Sequence, residues 1–242
     1  MSGGATMSGI QACLNGSRGL DEHPAAPLTP EACAREALAA VEAGATDLHV
    51  HPRTSDGRDS VAAEHVGAWV AAVREVVDVP VGVTTGAWAW SGPSGATAAV
   101  AEWDVLPDHA SVNWHESASE AVCAALQERG VAINVGLWSE RDAEEWLDST
   151  WVEATALVLV ELPDVGDQVE VAERLLELVR PAGLPILLHG EGRSAWEMVD
   201  LAGRHGVATR IGLEDVLEAP DGSEVAGNAE LVALALQRRS GR

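Results

Sequence analysis

Ala156-Leu157-Val158-Leu159-Val160-Glu161-Leu162 is the stretch on which the fold turns. It is apolar at every position but one, without the alternation of a half-exposed strand. A short unbroken apolar run rich in Val and Leu reads as a strand buried on both faces, the condition of a parallel sheet. On its C-terminal side a helix pattern covers Gln168–Val179, and a second apolar run follows at Pro185–Leu188. That is strand, helix, strand, the unit of a parallel α/β sheet.

The same alternation extends outward in both directions. Strand-like runs cover Ile10–Leu14, Thr46–His51, Val79–Thr85, Ala110–Trp114, Ala132–Leu137 and Thr209–Leu213. Helix-like runs cover Thr29 to about Ala43, then Ser60–Val77, Gly95–Trp103, Ser117–Arg129, Ser139–Leu147, Ala195–Arg204 and Asn228–Arg238. The first helix has Thr29 as N-cap, Pro30 at its first position and Gly44 as its stop. Eight strand-helix units in 242 residues predict a single (β/α)8 TIM barrel over residues 1–242. A doubly wound open sheet is the alternative, because periodicity does not report closure.

Composition narrows the function. The 15 basic residues, all arginine, face 38 acidic ones, for a formal charge of -23. That balance excludes a basic nucleic-acid footprint and disfavours anionic membranes. No apolar run reaches the roughly 18 residues of a membrane span. Met1 to Gly9 lack the charged and apolar regions of a signal peptide, so a cytoplasmic protein is expected. The absence of lysine removes Schiff-base aldolases, pyridoxal-phosphate enzymes and P-loop NTPases, which all need one. Cys13, Cys33 and Cys123 are isolated and odd in number, and read as reduced, buried thiols.

A barrel carries its chemistry at the C-terminal ends of its strands. Those ends read Asn15-Gly16-Ser17-Arg18, His49-Val50-His51, Thr84-Thr85-Gly86, Asn113-Trp114-His115-Glu116, Leu137-Trp138, Glu161, His189-Gly190-Glu191 and Glu214-Asp215. His49 and His51 point to one strand face and can share a metal. Two histidines, one carboxylate and an open position form a catalytic zinc pattern. Glu214 is the carboxylate best placed, since only strand 1 separates strands 8 and 2 in a closed barrel. Glu161 and Glu191 are less favoured. Reading strand 8 to Leu213 puts Arg210, Gly212 and Glu214 on one face, with Gly212 leaving space beside the site. His189 is a candidate substrate contact or proton shuttle. Trp88, Trp90, Trp114 and Trp138 stand where they would roof a pocket, and Ser91–Gly95 reads as a capping loop. Trp69, Trp103, Trp146, Trp151 and Trp196 read as packing.

Asn15-Gly16, Pro27 to Arg53 with its Gly44-Ala45 and His49–Arg53 ending, Asp56-Gly57, Thr84-Thr85-Gly86, Asn113, Arg210 to Asp215 and Asn228 to Val232 together resemble the β-keto acid cleavage enzymes, also called 3-keto-5-aminohexanoate cleavage enzymes. The resemblance spans nearly the whole chain. It implies a zinc-dependent barrel that converts a β-keto acid and acetyl-CoA into acetoacetate and a new acyl-CoA, in a homo-oligomer (dimer or tetramer). It implies Zn2+ on His49, His51 and Glu214, with Asp215 as general base, Arg210 as its partner and Thr84 as a hydroxyl near the substrate. Asn15, Arg18, Thr85, Gly86, Asn113 and His189 are the expected substrate contacts. Arg18 and Gly136 stand where the member acting on the amino substrate has glutamates, which argues against an ammonium-bearing substrate. CoA would need a local positive mouth, for which Arg18, Arg53, Arg58 and Arg193 are available. The alternatives are a metal-dependent barrel hydrolase, a CoA-independent C–C lyase, and a ligand-binding barrel without catalysis.

Overall fold

The computed structural model describes residues 9–90, 95–165 and 168–239. Eight strands close into one barrel: β1 (Ile10–Cys13), β2 (Asp47–Val50), β3 (Val81–Thr84), β4 (His109–Asn113), β5 (Ala132–Leu137), β6 (Thr155–Leu162), β7 (Ile186–Gly190) and β8 (Ala208–Ile211). Each pairs in parallel with the next, and β8 returns to β1 through Gln11 opposite Arg210. Between and after them run the helices α1 (Pro30–Glu42), α2 (Ala63–Arg74), α3 (Gly95–Ala101), α4 (Ser119–Arg129), α5 (Glu140–Leu147), α6 (Val169–Val179), α7 (Ala195–His205) and α8 (Asn228–Arg239). The fold is a (β/α)8 TIM barrel.

Local sequence explains the elements. Thr29 caps α1, its hydroxyl accepting from the Ala32 N–H at 3.2 Å, with Pro30 behind it. The outer faces of the strands and the inner faces of the helices form one continuous core of small and branched residues. With no Phe or Tyr in the chain, tryptophan supplies the bulk: Trp69, Trp103 and Trp146 are each almost fully buried. Two of them also place their indole N–H, Trp103 on the Val61 carbonyl and Trp146 on the Thr155 hydroxyl, as buried indoles require. Trp151 and Trp196 pack against the same core from its edge.

The barrel interior is divided in two. On β6, β7 and β8 the inward layer is apolar: Leu157, Leu159, Leu187 and Ala208 pack as a separate cluster. Two residues further along each of these strands stand Glu161, His189 and Arg210, on the same face by the period of a strand. On β1 to β5 the interior is polar well below the strand ends. Gln11 donates to Asp47 at 2.5 Å, His109 lies 3.1 Å from both Asp47 oxygens, and Asn134 lies 2.9 Å from His109 Nδ1. Each buried polar group in that network has a partner, which offsets its desolvation.

The last strand departs from its sequence reading. β8 stops at Ile211, and Gly212 to Asp215 turn away, the Asp215 and Val216 N–H groups both donating to the Gly212 carbonyl. Arg210 and Glu214 therefore do not share a strand face. The turn brings them together instead, one helical step apart, with Nη2 to Oε1 at 2.8 Å. Nor does Gly212 leave space: a Cβ there would lie 1.9 Å from the Cys13 carbonyl oxygen. The glycine is required by the backbone of β1.

Candidate metal centre and cavity

The end of β2 and the turn after β8 meet across β1. Ligand atoms of His49, His51 and Glu214 all lie within 4.8 Å of one another. His51 Nε2 is 3.5 Å from Glu214 Oε1, and His49 Nε2 is 4.0 Å from Oε2. The two rings meet edge to face with centroids 5.2 Å apart. Glu214 Oε2 is buried and has no hydrogen-bond partner among the described residues. A carboxylate with one oxygen orphaned beside the His49 nitrogen and the other facing His51 fits a divalent cation. The donor set of two nitrogens and one oxygen fits zinc with a position left open.

Groups behind the ligands hold them. The His51 Nδ1 lies 3.1 Å from Asp59 Oδ2, which leaves Nε2 facing the site. Asp59 also accepts from the Trp88 indole at 2.8 Å and pairs with Arg53 at 3.4 Å. The Trp88 ring is stacked on His51 at 6.0 Å. Arg210 fixes Glu214 from the other side, and Nη2 also reaches Asp215 Oδ1 at 2.8 Å. Burial drives the His49 imidazole well below its usual range. Burial acts the same way on His51, but Glu214 and Asp59 on either side overcome it and raise that ring to about 9. Burial opposes the charge on Glu214 as well, yet Arg210 and the two imidazoles hold it well below the carboxylate range. Burial pushes Asp215 up, with Glu214 adding to the rise and Arg210 opposing it. The site thus concentrates negative charge around two imidazoles, the setting a cation would neutralise.

A cavity of about 350 Å³ opens over the ligands. Its wall carries His49, His51, Glu214, Arg210, Arg18, Thr84, Asn113, Ser111, Glu161, Glu191, Trp88 and Trp138. The other expected contacts stand behind that wall. Asn15 spends its side chain on the β2 end, donating to the His51 carbonyl at 2.8 Å and accepting from its N–H at 2.9 Å. It positions a ligand rather than touching the cavity. Thr85 turns outward to the Ser111 carbonyl, and Gly86 donates to the Thr84 hydroxyl. His189 and Asp215 are both 0 % exposed. His189 Nε2 lies 3.5 Å from Glu161 and Nδ1 3.7 Å from Asp215, neither a full hydrogen bond.

Three further expectations change. Of the four tryptophans expected as a roof, Trp88 and Trp138 line the cavity, whereas Trp90 and Trp114 pack into the core. The expected positive mouth is already neutralised: Arg18 pairs with Glu22, Arg53 with Asp59, Arg58 with Asp56 and Arg193 with Asp164. Within Ser91–Gly95 the first four residues lie outside the described ones, and Gly95 opens α3. Asp59 was missed, although the Asp56-Gly57 turn that folds it back against Arg53 is a readable signal. No helix among the described residues is long and apolar enough to cross a membrane.

Among solved structures, 3-dehydroquinate dehydratase from Geobacillus kaustophilus HTA426 superposes with a TM-score of 0.62 at 14% identity, covering 98% of this chain and 93% of that one. A truncated 3-deoxy-D-arabino-heptulosonate 7-phosphate synthase from Thermotoga maritima gives 0.62 at 13% identity, covering 98% and 87%. At such identities the likeness is one of fold, which does not carry function. The sequence profile of the beta-keto acid cleavage enzymes, by contrast, matches residues 9–239. That span includes both arms of the candidate metal centre, and the chain belongs to the beta-keto acid cleavage enzyme family.

Proposed function

We propose that the protein is a zinc-dependent enzyme that takes a β-keto acid and acetyl-CoA and releases acetoacetate and a new acyl-CoA. The observation that carries this reading is the convergence of His49, His51 and Glu214 on the cavity wall, with an unpartnered Glu214 oxygen beside His49. A zinc ion held there would supply Lewis-acid polarisation of the β-keto carbonyl. The chain's own residues do the rest. Asp59 holds the His51 tautomer, and Arg210 holds the Glu214 carboxylate in place. Thr84 and Ser111 put hydroxyls on the wall, within reach of substrate oxygens. Asp215 is the proposed base. Arg210 engages its Oδ1, and its Oδ2 is buried without a partner, leaving that oxygen to take the proton.

Acetyl-CoA remains the co-substrate in this reading even though the rim arginines are paired. Exposed ion pairs such as Arg18 with Glu22 contribute only about 0–1 kcal/mol, so a phosphate can replace the carboxylate. The same pairing favours one second reading, a C–C lyase that works without CoA. Zinc-loaded protein mixed with acetyl-CoA and a panel of β-keto acids decides between them by mass spectrometry. Acetoacetate with the matching acyl-CoA is the expected product. Cleavage of the acid with no acyl-CoA formed would select the lyase, and no cleavage of any acid would remove both readings.

A further inference from the structure

Four polar residues inside the barrel lie off the cavity wall: Gln11, Asp47, His109 and Asn134. Leucine fills the neighbouring position, since Leu157 of β6 stands in register with Asn134 of β5 and opens the apolar cluster. Apolar side chains could have filled the other half as well. It holds instead one chain of polar contacts running from β1 to β5. A buried network with every member satisfied rigidifies what it touches and fixes one arrangement.

Its central member is His109, 7% exposed. The Asn134 amide nitrogen, a donor, lies 2.9 Å from His109 Nδ1. Nδ1 therefore accepts, and Nε2 carries the N–H, 3.1 Å from both oxygens of Asp47. Gln11 donates to the same carboxylate. Asp47 precedes His49 by two residues on β2 and shares its face. His109 thus anchors β2 directly below a candidate metal ligand.

To reach β2 from β4 the ring must cross β3, and Gly82 permits it. His49, Gly82 and His109 are successive partners in one row of the barrel. A Cβ at Gly82 would lie 1.9 Å from His109 Cε1 and 2.2 Å from Nδ1. The imidazole therefore occupies the side-chain space of β3 in the row of His49. On the other flank the row partner of His49 is Cys13. Without the ring, His49 would border a position with no side chain and gain room to rotate.

We propose that His109 is a positioning residue of the metal centre: laid across Gly82 and held to Asp47, it fixes the direction from which His49 meets the ion. The inference rests on the reading of His49, His51 and Glu214 as metal ligands and not on the substrate. His51 has Asp59 behind it, and Glu214 has Arg210. His109 gives the third arm its support, through packing and the β2 backbone.

The test uses the full-length chain, with zinc or cobalt(II) as the probe. Zinc affinity is read by chelator competition, and ligand geometry by the visible absorption of the cobalt-loaded protein. His109→Ala should weaken zinc binding by about tenfold or more, the range for groups that orient ligands, and should shift the cobalt bands. His109→Gln, whose amide can still donate to Asp47, should recover most of the affinity. Gly82→Ala, which displaces the ring while leaving it in the chain, should act in the same direction as His109→Ala. If His109→Ala does not fold, Gly82→Ala decides alone. Zinc affinity within about twofold of the unmodified protein, with unchanged cobalt bands, overturns the proposal. So does an equal spectral shift in Trp146→Ala, which would trace the effect to general loosening. An unmodified protein that takes up no zinc removes the metal reading, and the proposal with it.

Discussion

His51 sits between two carboxylates with opposite duties. Glu214 faces it across the candidate metal position, while Asp59 holds the far side of its ring. Outer partners of this kind set ligand orientation, and their loss weakens metal binding by roughly 10–100-fold. Asp59→Asn should therefore lower zinc affinity by about tenfold or more while leaving the far-UV spectrum unchanged, read by chelator competition. Asp215→Asn should abolish turnover yet leave the metal content intact, read by metal analysis beside the activity assay. Retained turnover would remove Asp215 as the base. At this scale the sequence was informative where spacing imposes geometry: residues i and i+2 of a strand must share a face, which exposed His49 and His51. It placed Glu161 at the end of its strand but not over Gly136, because the register that sets the side chain there is a property of two paired strands.

β8 and the turn after it show how one element serves two neighbours. The turn exists because β1 lies against it, leaving no volume for a side chain at Gly212. Gly212→Ala should cost on the order of 3 kcal/mol through backbone displacement, and should weaken metal binding because Glu214 moves with the turn. Thermal unfolding and zinc titration of the same sample would show both losses. An unchanged Tm would contradict the close approach. On the outer layer, Trp146→Ala should cost roughly 3–5 kcal/mol as a large buried side chain is removed, without changing metal content. Element order and type were legible throughout, from the buried-strand runs and from caps such as Thr29. The end of β8 was not, because Ile211-Gly212-Leu213 continues the apolar pattern while the contact that breaks the strand comes from β1, some two hundred residues earlier.

The whole molecule carries a formal charge of -23, so the folded state bears considerable self-repulsion. Raising salt from about 0.01 to 0.15 M shortens the Debye length from roughly 30 to 8 Å and should raise Tm. A falling Tm would mean that the surface ion pairs outweigh the repulsion. Closure of the barrel was legible in the count of eight βα units but not in their periodicity, since each unit looks the same in an open sheet. It is decided only where β1 finds β8, and it is secured by Asn228. That side chain accepts from the Leu213 N–H and donates to the Leu14 carbonyl, joining the last helix to the turn that carries Glu214 and to the first strand. On a ribosome, β1 and β2 emerge first and wait with their outer partner still unmade. His49 and His51 are then two histidines on an unfinished edge, and Glu214 arrives only with the final strand. The candidate metal centre thus belongs to the finished chain, and a nascent or truncated product lacks its Glu214 arm.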